Sequence, residues 1–247
     1  AFVILPPILR HVFCSRHTSL DQPGPLSRRV LRRFRYREAY PRLFARFKLG
    51  LDPLFQELSR IFNPTFSVKT VLDIGCGYVV PACWILEQYT DAVVHGLDPN
   101  QERIRIAAIV TGDKGQMAVG GAPEIPTPPY PVDAALMLDM IHFLDDDALT
   151  LSLKRLAACL SHHGKLIVRA VVPPKNNSYS WQWKFEALKG KLSGIPVWFR
   201  PIETITSMII QAGFQLEFSD LSGGNEESVW FVGSIRKKAD PVQPHGS

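Results

Sequence analysis

From Tyr40 to Phe62 apolar residues recur at spacings of three and four: Leu43, Phe44, Phe47, Leu51, Leu54, Phe55, Leu58 and Phe62. That rhythm predicts an amphipathic helix or a pair of helices, with Asp52-Pro53 opening the second. After Asn63-Pro64 the period changes. Five short apolar runs follow, at Val68–Ile74, Ala92–Leu97, Gln116–Val119, Val132–Leu138 and Lys165–Val172. Helical patterns at Pro81–Tyr89, Gln101–Val110 and Leu144–Leu160 separate them. Buried strands alternating with helices predict an α/β domain, a doubly wound parallel sheet with helices on both faces. The ending breaks the rhythm. A helix over Glu203–Ala212 closes at Gly213, and strands at Phe214–Phe218 and Val229–Ile235 flank the Gly223-Gly224 loop. This adds an antiparallel hairpin to a mostly parallel, seven-stranded sheet. No internal repeat is visible.

The chain divides into a basic arm and linker over 1–39, helices over 40–65, the α/β domain over 66–236 with an insertion at 173–201, and a tail over 237–247. Residues 15–30 carry Ser, Pro, Gly and Arg without periodicity and read as linker. The net charge of +5 is unevenly placed. The first fifty residues hold eleven Lys/Arg against Asp21 and Glu38, so the rest of the chain is slightly acidic. The run Arg28–Arg37 interleaves cations with aromatics, a pattern suited to nucleic-acid phosphate or anionic headgroups. Beside the apolar start Ala1–Leu5 and ahead of an acidic body, a membrane surface met through residues 1–48 is the preferred reading, and nucleic acid is not expected. The start itself reads equally as the cytoplasmic end of a transmembrane helix or as an ordinary helix edge. Cys14, Cys76, Cys83 and Cys159 form no CxxC pair, which points away from zinc and a disulfide framework and toward a reducing cytoplasm, at or near the cytoplasmic face of a membrane. No stretch reaches the roughly 18 apolar residues of a bilayer span, and a mean hydropathy of +0.01 excludes a polytopic membrane protein.

The candidate chemistry begins at Val71-Leu72-Asp73-Ile74-Gly75-Cys76-Gly77-Tyr78, where the first strand meets its helix. Two glycines let the backbone turn tightly and approach a ligand. A second acid, Asp98, ends the next strand, where a carboxylate can accept both hydrogen bonds of a ribose diol. A dinucleotide would want glycine at position 80, which is Val80, and free N–H groups where Pro81 stands. The segment resembles the class I S-adenosylmethionine (SAM)-dependent methyltransferases, over about residues 66–236, and the resemblance implies their Rossmann-like, doubly wound seven-stranded fold. The resemblance implies SAM as cofactor, with Asp73, Gly75, Gly77 and Tyr78 at its methionine and ribose end, Asp98 on the ribose, and Pro99 and Asn100 beside the adenine. It places Gly121 and Ala122 near the adenine amine, and Asp139, Met140 and His142 below the cofactor. Gly164–Val168 is similar to the family's turn and fifth strand. Phe47-Lys48-Leu49 and Asp52-Pro53 are similar to a helix that some small-molecule methyltransferases close over SAM. Two positions depart from the pattern: Val79 stands where a third glycine is usual, and Gly121 where an acid is common.

His142 is the candidate base for a hydroxyl acceptor, against a structural histidine, which is the favoured reading. Asp139 is expected to meet the methionine amino group, and Arg46 and Lys48 either to meet its carboxylate or to form a solvated basic face. Arg169 points toward an anionic acceptor or snorkels from the sheet rim. Tyr179 and Trp183, in the aromatic-rich insertion, are candidates for a wall around an aromatic or lipid-like acceptor. Asp145-Asp146-Asp147 reads as a helix N-cap and dipole partner, and His162-His163 as a helix exit; no metal is expected. The expectation is methyl transfer from SAM to an oxygen of an aromatic or lipid-like small molecule. The alternative is a methyltransferase-like domain with weak or no catalysis, serving as an interaction module of a membrane-associated protein.

Overall fold

The computed structural model describes residues 24–63, 65–173, 196–222 and 225–236. Helices α1 (Pro25–Arg33), α2 (Ala39–Leu51) and α3 (Leu54–Ile61) precede β1 (Thr70–Ile74), α4 (Val80–Gln88), β2 (Val93–Asp98), α5 (Gln101–Thr111), β3 (Gly115–Val119) and β4 (Val132–Leu138). Then come α6 (Asp146–Cys159), β5 (Leu160–Val171), α7 (Ile202–Gln211), β6 (Phe214–Ser222) and β7 (Asn225–Ile235). One sheet of order β3-β2-β1-β4-β5-β7-β6 holds all seven strands. β3 to β5 run parallel, while β7 is antiparallel to both β5 and β6. The chain order reverses direction at β1, whose neighbours are β2 and β4, so a crevice opens at the carboxyl ends of these strands.

Alternation along the strands divides the core between two faces. Val71, Ala134, Leu136 and Ile167 pack toward α4 and the N-terminal helices. Leu72, Ile74, Ala135, Met137, Leu166 and Val168 pack toward α6 and α7. The predicted pair of helices across Asp52-Pro53 is present: the Asp52 carboxylate accepts from Leu54 N at 2.9 Å and opens α3.

Three expectations change. The supposed linker 15–30 overlaps α1, which lies against α4. Val30 and Phe34 are fully buried there, and Arg29 and Arg33 pair with Glu87 at 3.1 and 2.7 Å. Leu26, Val30 and Phe34, four apart and following Pro25, were the signal; the surrounding arginines hid it. His162-His163 is no helix exit, because α6 runs straight into β5 and places both exposed histidines in the strand. Gly164 lies inside that strand too, where an irregularity shifts the register between Val132 and Ala134. The hairpin strands also extend further than the apolar runs, to Ser222 and from Asn225, because cross-strand hydrogen bonding does not require apolar side chains.

Candidate active site

The loop after β1 holds Gly75 and Gly77 at φ of +71° and +55°. A Cβ on Gly77 would meet nothing within 4 Å, so this turn faces open space where a ligand can approach the backbone. Val79 occupies the third turn position at φ +51°, a left-handed conformation that a β-branched residue adopts only under strain. Its side chain is fully buried in the core below α4 and does not fill the crevice. Because the strain belongs to Cβ, Val79→Gly is expected to be about 1 kcal/mol more stable than Val79→Ala by urea denaturation.

Asp98 ends β2 and is buried. Its two carboxylate oxygens accept from Gly77 N and Asn100 N, each at 2.9 Å, and Arg103 stands 3.7 Å away. These bonds fix the carboxylate beside the glycine turn while leaving lone pairs on both oxygens. Asn100 caps α5 through its side chain. Asp73, 2% exposed, has an oxygen, Oδ2, without a hydrogen-bond partner. Burial first, and the nearby Asp98 charge second, push its carboxyl up to about 7. Cys76, between the glycines, is also buried, which holds its thiol protonated and unsuited to nucleophilic work. Tyr78 is half-buried and meets Phe44 at 5.3 Å and Tyr40 at 5.9 Å, so α2 supplies aromatic rings to the mouth of the crevice. Pro99 is exposed beside the turn, and Gly121 and Ala122 lie half-buried after β3; an added Gly121 Cβ would stand 3.8 Å from Pro99.

One strand over, four charged side chains close on each other. Arg169 on β5 binds Asp139 at 2.6 and 2.5 Å and Asp52 at 2.6 and 2.9 Å. Lys48 bridges the same two carboxylates at 2.6 Å to Asp52 and 3.2 Å to Asp139. Burial by itself would raise both carboxyls, yet the Arg169 and Lys48 charges hold them below the usual range. Asp139 adopts φ +57° at the end of β4, with its N–H donating to Arg169 O. Arg169 is thus turned onto Asp139 and Asp52, and Lys48 onto the same two carboxylates. The four make a latch that ties the α2–α3 junction to the sheet. Sequence reasoning placed Lys48 and Asp52 near the cofactor but could not pair them with residues about 90 to 117 positions away.

His142 lies in a single 3₁₀ turn, Ile141–Phe143, and is 2% exposed. Its ring stacks on Phe199 at 5.5 Å and meets Phe143 at 4.2 Å, while its carbonyl accepts from Trp198 N. That is the structural histidine, not one standing open in the crevice. Arg200, which the sequence did not single out, holds this turn by donating to the carbonyls of Ile141, Leu144 and Trp198 and to Asp146. Asp145 caps α6 through Ala148 N. Met140 lies against Gly75, whose added Cβ would stand 3.0 Å away. Tyr179 and Trp183 lie outside the described residues.

Residues 71–164 match the family model for a methyltransferase domain. Over 152 residues the chain is 22% identical to an uncharacterized methyltransferase of Bacillus velezensis, a match covering 58% of this chain and 68% of that protein. Among solved structures it is similar to the mitomycin 7-O-methyltransferase MmcR, at TM-score 0.62 and 16% identity, over 85% of this chain and 60% of that one. It is also similar to an S-adenosylmethionine-dependent methyltransferase of Mesorhizobium loti, at TM-score 0.60 and 15% identity, over 72% and 96% of the two chains. The chain thus spans less than two thirds of MmcR. Residues 71–164 thus match a methyltransferase domain, and the sheet order with its glycine turn is the fold shared with these solved methyltransferase structures.

The Mesorhizobium loti neighbour is SAM-dependent, which makes SAM the cofactor to test against this crevice. The residues present fit it. An orphaned, buried carboxylate oxygen at Asp73 suits a ligand carrying positive charge, the open space over Gly77 suits a nucleoside, and the anchored Asp98 suits a sugar diol.

Proposed function

We propose that this chain transfers a methyl group from SAM to an oxygen of an aromatic or lipid-like small molecule. The observation that carries the reading is the Asp98 carboxylate, locked by Gly77 N and Asn100 N against a turn with open space above it. Asp98 would hold the ribose hydroxyls, Asp73 would balance the ligand's positive charge, and Tyr78 with Phe44 and Tyr40 would shield the entrance from water. When bound, SAM supplies a methyl carbon already activated by positive sulfur. The protein's work is then chiefly alignment of donor and acceptor. With its ring clamped between Phe143 and Phe199, His142 supports the shape of the floor, and we assign it no proton transfer. Oxygen as the acceptor atom draws support from the likeness to a 7-O-methyltransferase. The exposed Trp198 and Phe143 at the same end of the sheet favour an apolar acceptor.

Isothermal titration calorimetry with SAM tests the first step. Wild type is expected to bind at micromolar concentration. Asp98→Asn should weaken binding by about tenfold to a hundredfold, the worth of one or two hydrogen bonds to a charged acceptor. No heat at sub-millimolar SAM would favour a methyltransferase-like interaction module instead.

A further inference from the structure

Four exposed apolar side chains stand in the N-terminal segment: Tyr36, Tyr40, Leu43 and Phe47 are 78, 62, 50 and 44% exposed. Tyr40, Leu43 and Phe47, three and four apart, lie along a single stripe of α2, and Tyr36 stands in the turn before the helix. The inward side of α2 is accounted for separately: Pro41 and Ala45 are buried, and Lys48 is in the latch. Exposed cations share this segment. Arg42 and Arg46 are exposed on α2, Arg28 and Arg32 on α1, and Arg35 stands 5.3 Å above the Tyr36 ring. Between residues 25 and 51 the one acid is Glu38, and it pairs with Arg105.

We propose that this face docks on an anionic lipid surface, with α2 lying in the interface plane. Tyrosine, leucine and phenylalanine beside arginine are the residue types that settle at a headgroup boundary, apolar atoms inward and cations among phosphates. A second copy of the chain is a poor occupant, because self-association through this face would bring arginines together. Nucleic acid is a poor one as well, since Leu43 and Phe47 offer it nothing to hydrogen-bond. Among the described residues no helix is long and apolar enough to cross a membrane, so contact through this helix is peripheral.

The stripe is continuous with the crevice. The Tyr40 ring meets both Phe44 and Tyr78, and Tyr78 adjoins the open turn at Gly77. Resting on the methyl-transfer reading, this continuity gives a lipid-like acceptor an apolar path from the bilayer to the donor without crossing water.

Sedimentation of the full chain with vesicles is the test. Wild type should bind phosphatidylcholine vesicles holding about 30% phosphatidylserine, bind pure phosphatidylcholine far less, and release as NaCl rises from about 0.1 to 0.5 M. The double variant Leu43→Ser/Phe47→Ser, on exposed positions, should lose about tenfold in partitioning, and Arg32→Glu/Arg35→Glu at least as much. SAM titration of a Leu43→Ser protein should match wild type, since Leu43 is exposed and lies outside the segment likened to a helix over SAM. If neither protein binds SAM while vesicle binding holds, the catalytic reading fails and the docking surface stands. Absence of binding to anionic vesicles at low salt overturns the proposal. So does equal partitioning of wild type and both variants, or a wild-type dimer that Leu43→Ser/Phe47→Ser converts to monomer.

Discussion

Replacing Arg169 by leucine is expected to lower the melting temperature by about 6–12 °C, the equivalent of about 3 kcal/mol in a chain of this size. Arg169 makes four hydrogen bonds to Asp52 and Asp139, and it is the more deeply buried cation of the latch. Without it two carboxylates face one lysine. Both acids are partly exposed, so water relieves some of the repulsion and the loss stays at the lower end of the range for broken buried pairs. The same substitution in an Asp139→Asn background should do much less harm, because the second charge has already gone. Because Asp52 also opens α3, amide exchange should quicken first in α2 and α3. A fall of less than about 2 °C would show that the latch contributes nothing to stability.

The second large effect concerns Asp73 and runs against the usual direction for a carboxylate. Its folded-state value near 7 lies above the ordinary 3.8, so the folded protein keeps a proton that the unfolded chain releases. Stability contributed by this group is therefore intact below about pH 4, falls as pH rises to about 7, and stays low beyond. Asp73→Asn removes the titration. The stability of variant minus wild type should climb across that window by as much as about 4 kcal/mol, which is three pH units at 1.36 kcal/mol each. The pH slope is the readout, since any fixed packing cost of the amide shifts the whole curve without bending it. Asp52 and Asp139 act oppositely, losing their contribution only below about pH 4, outside the window. Positive ligand charge beside Asp73 should expel the proton. Wild-type SAM affinity is then expected to rise with pH between about 5 and 7, and the Asp73→Asn affinity to stay flat. Parallel stability curves for the two proteins would refute the assignment.

Much of this was legible in the residue order. Strand and helix alternation, the final hairpin and the turn at Gly75–Gly77 all depend on near neighbours, and period-two and period-3.6 patterns report those directly. Val79 was visible as a departure, but its consequence was not. Whether a valine fills a crevice or turns into the core depends on which wall lies nearest, and here that wall is the packing beneath α4. Helix α1 was passed over because its four arginines outweighed a short apolar spacing; its burial comes from Glu87 and α4, far along the chain.

The order of residues alone determined the sheet's class, the glycine turn after the first strand and the excess of positive charge at the front of the chain, since each rests on local pattern or composition. Only the folded arrangement decided what the charged side chains do. Asp139 read singly as a ligand contact, Arg169 as an acceptor contact or a rim residue, Lys48 as a cofactor contact or a solvated face, and Asp52 as a helix start, because a side chain's chemistry is evident in isolation while its partner is not. Folding brings positions 48, 52, 139 and 169 within hydrogen-bond reach, and in a half-buried setting opposite charges satisfy one another before any ligand arrives.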